Sequence, residues 1–272
     1  MAGRRRSTFR RRRFVVLVCV VAVLAAIGVA VRHRQGGGRE LVVMPPNVVL
    51  RSDALAGVNV VIDPGHGGTD PGAVRGGVTE ASLNYRMASV LAVVVRQAGG
   101  IPWFTITSTS LSTTLVEGEP EPPLTEPIDA VSREAPDIAL RSGREDTQSL
   151  YRRGDYATRI QRDHGGTTVF IALHHDAADS SAKRGGIVLW ESRQLTPPPL
   201  VLSLTARFTR LHLVSGRQGR HLGVLAPAHN EVTDRVLMEL ATISNAADRR
   251  GAMDPVWRWR VARQLAAAIA AR

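Results

Sequence analysis

Cysteine and lysine are almost absent from this chain of 272 residues. The only cysteine, Cys19, lies inside an apolar segment near the N-terminus. The rest of the chain therefore contains no disulfide, and it offers no thiolate as a nucleophile or as a metal ligand. Lysine occurs once, at Lys183, against 34 arginines. This bias, together with abundant alanine, indicates a GC-rich genome and not a mechanism.

Acidic residues are scarce only at the N-terminus, although the formal net charge of the whole chain is +11 at pH 7. Residues 1–40 hold ten arginines and one glutamate, and the remainder holds 25 basic and 23 acidic residues, a net charge of +2. The basic excess therefore suits export and contact with a membrane surface. Nucleic-acid binding is not indicated.

The N-terminus has the charge pattern of an export or anchoring segment. Arg4–Arg6 and Arg10–Arg13 precede residues 14–31, which carry no charge. Basic residues before an apolar stretch predict a cytoplasmic N-terminus. We therefore expect 1–13 to be a basic cytoplasmic tail and 14–31 a signal anchor in the membrane. Cleavage near Gly28-Val29-Ala30 would make 14–31 a signal peptide instead, and in both cases the rest lies outside the cytoplasm.

Downstream of this segment, the sequence predicts a linker over 32–56 and one domain over 57–272. Strand-like and helical patterns alternate along the domain, which predicts an α/β fold: a single-domain twisted, mostly parallel sheet with helices on both faces. The strand-like runs are 58–62, 101–106, 168–173, 186–190 and 235–240, and the helical patterns are 80–98, 149–163, 200–213 and 255–271.

The first motif with chemistry is an apolar strand that breaks into a Pro/Gly loop, Val58 to Gly68, with His66 at the centre of the loop. Loops at the ends of strands in α/β sheets commonly hold ligands, because the rigid sheet positions them. Glycines on both sides let another group approach the imidazole closely. A single histidine in such a loop is more often only part of a turn, so the interpretation depends on further ligands.

Further candidate ligands occur at two places. Glu80 begins a predicted helix with Thr79 as its N-cap, although an acidic residue in a first helical turn is also common without any ligand role. The apolar run from Thr167 ends in His174-His175-Asp176. Two histidines and one carboxylate, with a fourth position left to water, are a known ligand set of catalytic zinc.

Taken in order, these motifs resemble the zinc-dependent N-acetylmuramoyl-L-alanine amidases of the amidase 3 family. The resemblance covers about residues 57–272. Its matching segments are Asp63–Gly68, Glu80, Leu150–Arg153 with Ala157, Ala172–Ala177 and Leu237–Asp248. It implies a zinc ion bound by His66, Glu80 and His174, and a catalytic glutamate at Glu239.

The chain departs from the family pattern near two of these residues. Where the family usually has a small residue, this chain has His175, and where the family usually has Gly-Phe, it has Ala241-Thr242. Neighbouring side chains on a strand point to opposite faces, so His174 and His175 do not easily face one metal. The motif favours His174 as the ligand, and the alternative is His175 as the ligand or as a further group beside the metal.

Other polar residues of the motifs leave two interpretations each. Glu239 is either the general base beside the metal or a surface glutamate that pairs with an arginine. Asp63 and Asp176 either orient the ligand histidines or form turns. Arg153 either holds a substrate carboxylate or makes a structural ion pair.

The predicted function is hydrolysis of peptidoglycan, at the amide bond between N-acetylmuramic acid and the L-alanine of the stem peptide. The enzyme would act in the bacterial cell envelope, tethered to the outer side of the inner membrane through 14–31, or periplasmic or secreted after cleavage. The alternatives are a zinc peptidase of peptidoglycan peptides and a metal-binding scaffold without activity. A general base at Glu239 speaks against the scaffold.

Residues 108–147 interrupt the domain with a Ser/Thr-rich and then Pro-rich segment that holds nine acidic and three basic residues. The other residues of 41–272 carry a net charge of +8. Loops of this length are usually functional or disordered. We therefore predict a lid or a docking site for an activator protein, with a passive solvated loop as the alternative.

Overall fold

The structure is a computed structural model that describes residues 41–68, 70–106, 115, 117, 145–191, 196–210, 214–218 and 223–272. The predicted tail and the apolar segment 14–31 lie outside these residues, as does nearly all of 108–147. Within the described residues, no helix has both the length and the apolar character needed to cross a membrane.

The central sheet contains six strands among the described residues: β1 (Val58–Pro64), β4 (Ile101–Phe104), β5 (Thr167–Asp176), β6 (Gly186–Trp190), β7 (Val214–Gln218) and β8 (Asp234–Thr242). Their order across the sheet is β4-β1-β5-β8-β6-β7. Two short antiparallel strands, β2 (Val74–Arg75) and β3 (Val78–Thr79), lie apart from it. All pairings within the sheet are parallel except β6 with β8. The α/β class is confirmed, and the sheet is mixed.

The described residues form five helices around the sheet: α1 (Glu80–Gln97), α2 (Glu145–His164), α3 (Pro199–Arg210), α4 (Ala246–Met253) and α5 (Pro255–Ala270). As predicted, α1 starts after the N-cap Thr79, whose Oγ1 accepts a hydrogen bond from the Ser82 amide. α2 starts before the predicted position, so the last three residues of the predicted insert 108–147 belong to this helix.

The sheet is buried on both faces because alternate residues of its central strands point to opposite sides. On one side, Ile62, Ile171 and Met238 pack with α1, α3 and α5. On the other side, Phe170 and Leu237 pack with α2 and with a short 3₁₀ turn at Gly223–Leu225. This double burial explains why β1, β5 and β8 read as nearly continuous apolar runs.

Residues 42–50, which belong to the predicted linker 32–56, run along α5. The Trp257 indole N–H donates to the carbonyl of Val43 at 3.2 Å, and the Gln264 amide donates to the carbonyl of Pro46 at 3.0 Å. Apolar side chains of the segment pack against the core. This part of the chain is therefore attached to the α/β fold and not separate from it.

The three central strands β1, β5 and β8 are parallel neighbours, so their carboxyl ends meet at one edge of the sheet. His66 follows β1, and His174 lies near the end of β5. Glu239 lies on β8 directly opposite His174 in the strand register. The topology thus brings residues from distant parts of the sequence to a single edge.

Candidate metal centre and active site

His66, Glu80 and His174 come together at this edge. Each offers one nitrogen or oxygen atom, and the three atoms lie within 4.8 Å of one another. Oε1 of Glu80 is 3.1 Å from Nε2 of His66 and 3.0 Å from Nδ1 of His174. The two histidine side chains keep 25 % and 15 % of their surface exposed, against 7 % for Glu80. The group is therefore reachable from solvent and has a buried carboxylate at its base.

The loop that carries His66 has an unusual backbone. His66 has φ of 65°, in the left-handed region that few residues other than glycine adopt, and such a conformation costs on the order of 1–3 kcal/mol. Gly65, just before it, packs so tightly on the His174 ring that a Cβ atom at this position would overlap the imidazole. This close approach explains the requirement for glycine beside the histidine.

Arg153 of α2 forms hydrogen bonds with the backbone of the same loop. Its guanidinium donates to the carbonyls of Pro64 and His66, both at 2.9 Å, and to the Asp63 carboxylate at 3.0 Å. Asp63 also accepts a hydrogen bond from Thr105. Arg153 and Asp63 are both buried. These contacts favour the structural ion pair over a substrate role for Arg153, and they connect Asp63 to His66 only through the arginine.

Asp70 contacts His66 directly, a role that the sequence reasoning missed. Its Oδ2 lies 2.7 Å from Nδ1 of His66, so Nδ1–H donates to Asp70 while Nε2 faces Glu80. Burial disfavours the charged imidazole, but the hydrogen bonds and charges of Glu80 and Asp70 outweigh it and raise the pKa of His66 to about 9. An acidic residue four positions after a loop histidine was the available signal.

Glu80 is ionised although it is buried. Burial alone would raise its pKa, but hydrogen bonds from His174 and His66 and the charges of both histidines hold that pKa well below its usual range. The backbone N–H of Ala73 donates to Oε2 at 3.1 Å, and that of His175 donates to Oε1 at 3.2 Å. The carboxylate is thus surrounded by donors.

Glu239 lies on β8 at the same edge of the sheet as His66 and His174. Burial raises the pKa of its carboxyl to about 7, with further contributions from the charges of neighbouring groups. Its Oε2 is buried and has no hydrogen-bond partner among the described residues. A buried carboxylate oxygen without a partner is uncommon away from functional sites. Glu239 is therefore a candidate acid–base group next to the two histidines and Glu80.

The donor set fits a zinc ion. Two imidazoles and one carboxylate are typical ligands of catalytic zinc. Here they converge on one point with a carboxylate, Glu239, opposite His174. A cation held by these three residues would offset the negative charge of buried Glu80. No cysteine competes for such an ion in the described residues.

The family model described as N-acetylmuramoyl-L-alanine amidase matches residues 60–271. The chain belongs to this family. No curated protein sequence matches the chain.

Solved structures of such amidases share the fold with this chain. The catalytic domain of CwlV, an amidase of Bacillus (Paenibacillus) polymyxa, has 21% sequence identity and a TM-score of 0.52, over 78% of this chain and 95% of that one. An amidase of Mycobacterium smegmatis has 15% identity and a TM-score of 0.53, over 79% and 96%. The CwlD amidase of Clostridioides difficile, solved in complex with the GerS lipoprotein, has 16% identity and a TM-score of 0.51, over 78% and 95%.

The family motif favours His174 as the ligand, with His175 as the alternative. His174 joins the cluster with His66 and Glu80, whereas the side chain of His175 points away from it. Strand alternation within β5 produces this difference. Asp176, next along the strand, pairs with Lys183 and contacts neither histidine directly through a described hydrogen bond.

Proposed function

We propose that this amidase is zinc-dependent and that it hydrolyses the bond between the lactyl group of N-acetylmuramic acid and the L-alanine of the peptidoglycan stem peptide. The observation that carries the proposal is the cluster of His66, Glu80 and His174 with Glu239 opposite it in register. Family membership supports the choice of bond, and the donor set supports the choice of metal.

In this mechanism His66, Glu80 and His174 would hold the metal, and Asp70 would orient His66 through its Nδ1–H. Zinc in such a site supplies a Lewis acid that activates water and polarises the scissile carbonyl. The protein's own part is to keep the ligands fixed on the sheet edge and the loop before substrate arrives. The buried contacts of Arg153 and Glu80 serve that purpose.

Glu239 would move the proton. Its carboxylate accepts a proton from the attacking water as the new C–O bond forms, and it delivers that proton to the L-alanine nitrogen as the C–N bond breaks. The products are a lactyl carboxylate on the glycan and a free amino group on the peptide. A pKa raised to about 7 by burial suits both transfers near neutral pH.

We also propose where the enzyme acts and which kind of protein activates it. A peptidoglycan substrate places the enzyme in the cell envelope, with 14–31 as its proposed membrane segment. The CwlD structure contains a lipoprotein partner, which supports the idea of an activator here, with 108–147 as its docking site. Of that segment, Leu115 packs against the core and Glu117 pairs with Arg263 on α5.

Removal of the metal provides the direct test of zinc dependence. Treatment of the purified protein with a strong chelator is expected to abolish release of material from insoluble peptidoglycan, and added zinc should restore it, because the ligands remain in place on the sheet. Metal content is measured in parallel by mass spectrometry. Full activity in a sample shown to be free of metal would contradict the proposal, as would absence of activity in a zinc-saturated sample.

A further inference from the structure

Asn84 lies one helical turn after Glu80 on α1 and is completely buried. Its Nδ2 donates to the carbonyl of Gly65 at 3.0 Å and lies 3.5 Å from Oε1 of Glu80. Gly65 directly precedes His66. A single amide group therefore contacts both Glu80 and the residue next to the first histidine.

His175 connects the side-chain amide of Asn84 to β5, the strand that carries His174. It directly follows His174, the residue is 1% exposed, and its Nδ1 lies 2.7 Å from Oδ1 of Asn84. The backbone N–H of His175 also donates to Oε1 of Glu80 at 3.2 Å. β5 is thus tied to α1 at two points, one through a side chain and one through the backbone.

The chemistry of the two side chains fixes the direction of these bonds. Asn84 carries an acceptor at Oδ1 and donors at Nδ2, so donation to Gly65 directs Oδ1 toward His175. Nδ1 of His175 must then carry the proton. Nε2 of the same ring has no hydrogen-bond partner among the described residues.

We propose that Asn84 and His175 are positioning residues that together hold the segments bearing His66, Glu80 and His174 at the separation a metal requires. The inference rests on the zinc site of the proposed function. A small residue, the usual one in the family at position 175, cannot reach Asn84. The pair is therefore a feature of this chain, added to the ligands that the family resemblance implies. Residues behind metal ligands typically change metal affinity by about 10–100-fold when they are replaced.

The test compares three variants of the full-length protein in one measurement, the dissociation constant for zinc by competition with a chelator. His175→Leu keeps most of the buried volume and removes the donor. His175→Asn retains an N–H group close to the position of Nδ1. Val169→Ala is the matched control, because Val169 is buried on the same strand but lies at its other end.

We expect His175→Leu to weaken zinc binding by about 10–100-fold, while His175→Asn stays within about threefold of the parent and saturating zinc still fills the site. Val169→Ala should lower resistance to urea in the metal-free protein but leave zinc affinity unchanged. Asn84→Ala removes the other partner of the same hydrogen bond. Its dissociation constant for zinc provides the test if His175→Leu does not fold. The double variant His175→Leu with Asn84→Ala should be no weaker than the worse single variant, because the two act as a unit.

The outcomes separate this inference from the function on which it rests. A parent that binds zinc and a His175→Leu variant with the same affinity would overturn the positioning role and leave the zinc site intact. Equal loss in His175→Asn and His175→Leu would also overturn it, since the hydrogen bond would not be the cause. A parent that binds no zinc would overturn the proposed metal site and the inference together.

Discussion

Glu239→Gln is expected to lower the rate of peptidoglycan hydrolysis by about 10²–10⁴-fold, the usual contribution of a general acid–base group. The amide of glutamine keeps the shape of the side chain but cannot accept the proton of water. Since Glu239 is not among the three clustered ligands, the variant should bind zinc as the parent does. The checks are initial rates on purified peptidoglycan and zinc content of the same sample.

The control for this substitution is Glu231→Gln. Glu231 is exposed and pairs with Arg162 on the surface, so the same chemical change there should leave the rate unchanged. A Glu239→Gln variant that retains zinc and hydrolyses at a near-parental rate would remove Glu239 from the mechanism. Loss of zinc together with activity would instead assign Glu239 to the metal site.

Substitution of the proposed ligands should have an equally large effect for a different reason. His66→Ala, His174→Ala and Glu80→Gln each remove one of three protein donors. Each is therefore expected to lose stoichiometric zinc at micromolar metal and to reduce hydrolysis to background. Glu80→Gln keeps the side-chain shape while it removes the buried charge. Zinc content after gel filtration and the rate of hydrolysis give the result.

His229→Ala is the control for the histidine variants, because His229 stacks on Tyr151 and pairs with Asp155 away from the cluster. It should keep both zinc and activity. Full zinc occupancy in His174→Ala, together with complete loss of zinc in a His175 variant at saturating metal, would show that the wrong histidine had been assigned as ligand.

The residues whose positions follow from local rules could be predicted from the sequence. Thr79 caps α1 because a hydroxyl satisfies a free amide at the helix start. The side chains of His174 and His175 diverge because strand residues alternate. Parallel neighbours then bring the ends of β1 and β5 together. These rules were sufficient to predict the edge of the sheet at which the histidines meet.

The contacts that hold the ligands in place depend on tertiary packing, so the local rules of helix capping and strand alternation could not predict them. Asp70 contacts His66 within a loop whose backbone is left-handed at the histidine, a conformation that the sequence does not predict. Asn84 looks like an ordinary polar residue of an amphipathic helix, and its contacts with Gly65 and His175 exist only after β1, α1 and β5 have packed. Spacing along the sequence carries no signal for the contacts of Asn84, whereas the acidic residue four positions after His66 was a signal for Asp70.

Four elements were also missed: β2 and β3 are only two residues long each, and the local patterns of β7 and α4 are weak. β7 has the sequence Val-Ser-Gly-Arg-Gln, which shows no apolar alternation, and its pairing with β6 supplies the backbone bonds that define it. α4 is only eight residues long and contains Gly251, so helical periodicity cannot develop. Its N-cap, Asn245, was the signal that could have revealed the helix.

The most direct test of the account is the identity of the bond that is cleaved. Purified peptidoglycan is digested by the zinc-loaded protein in water enriched in ¹⁸O, and the soluble products are analysed by mass spectrometry. Hydrolysis of the proposed bond gives glycan strands whose muramic lactyl carboxylates each gain one ¹⁸O atom, and intact stem peptides with a free L-alanine amino group. The label appearing in carboxylates within the peptides, with L-alanine still attached to the glycan, would contradict the account and favour a peptidase.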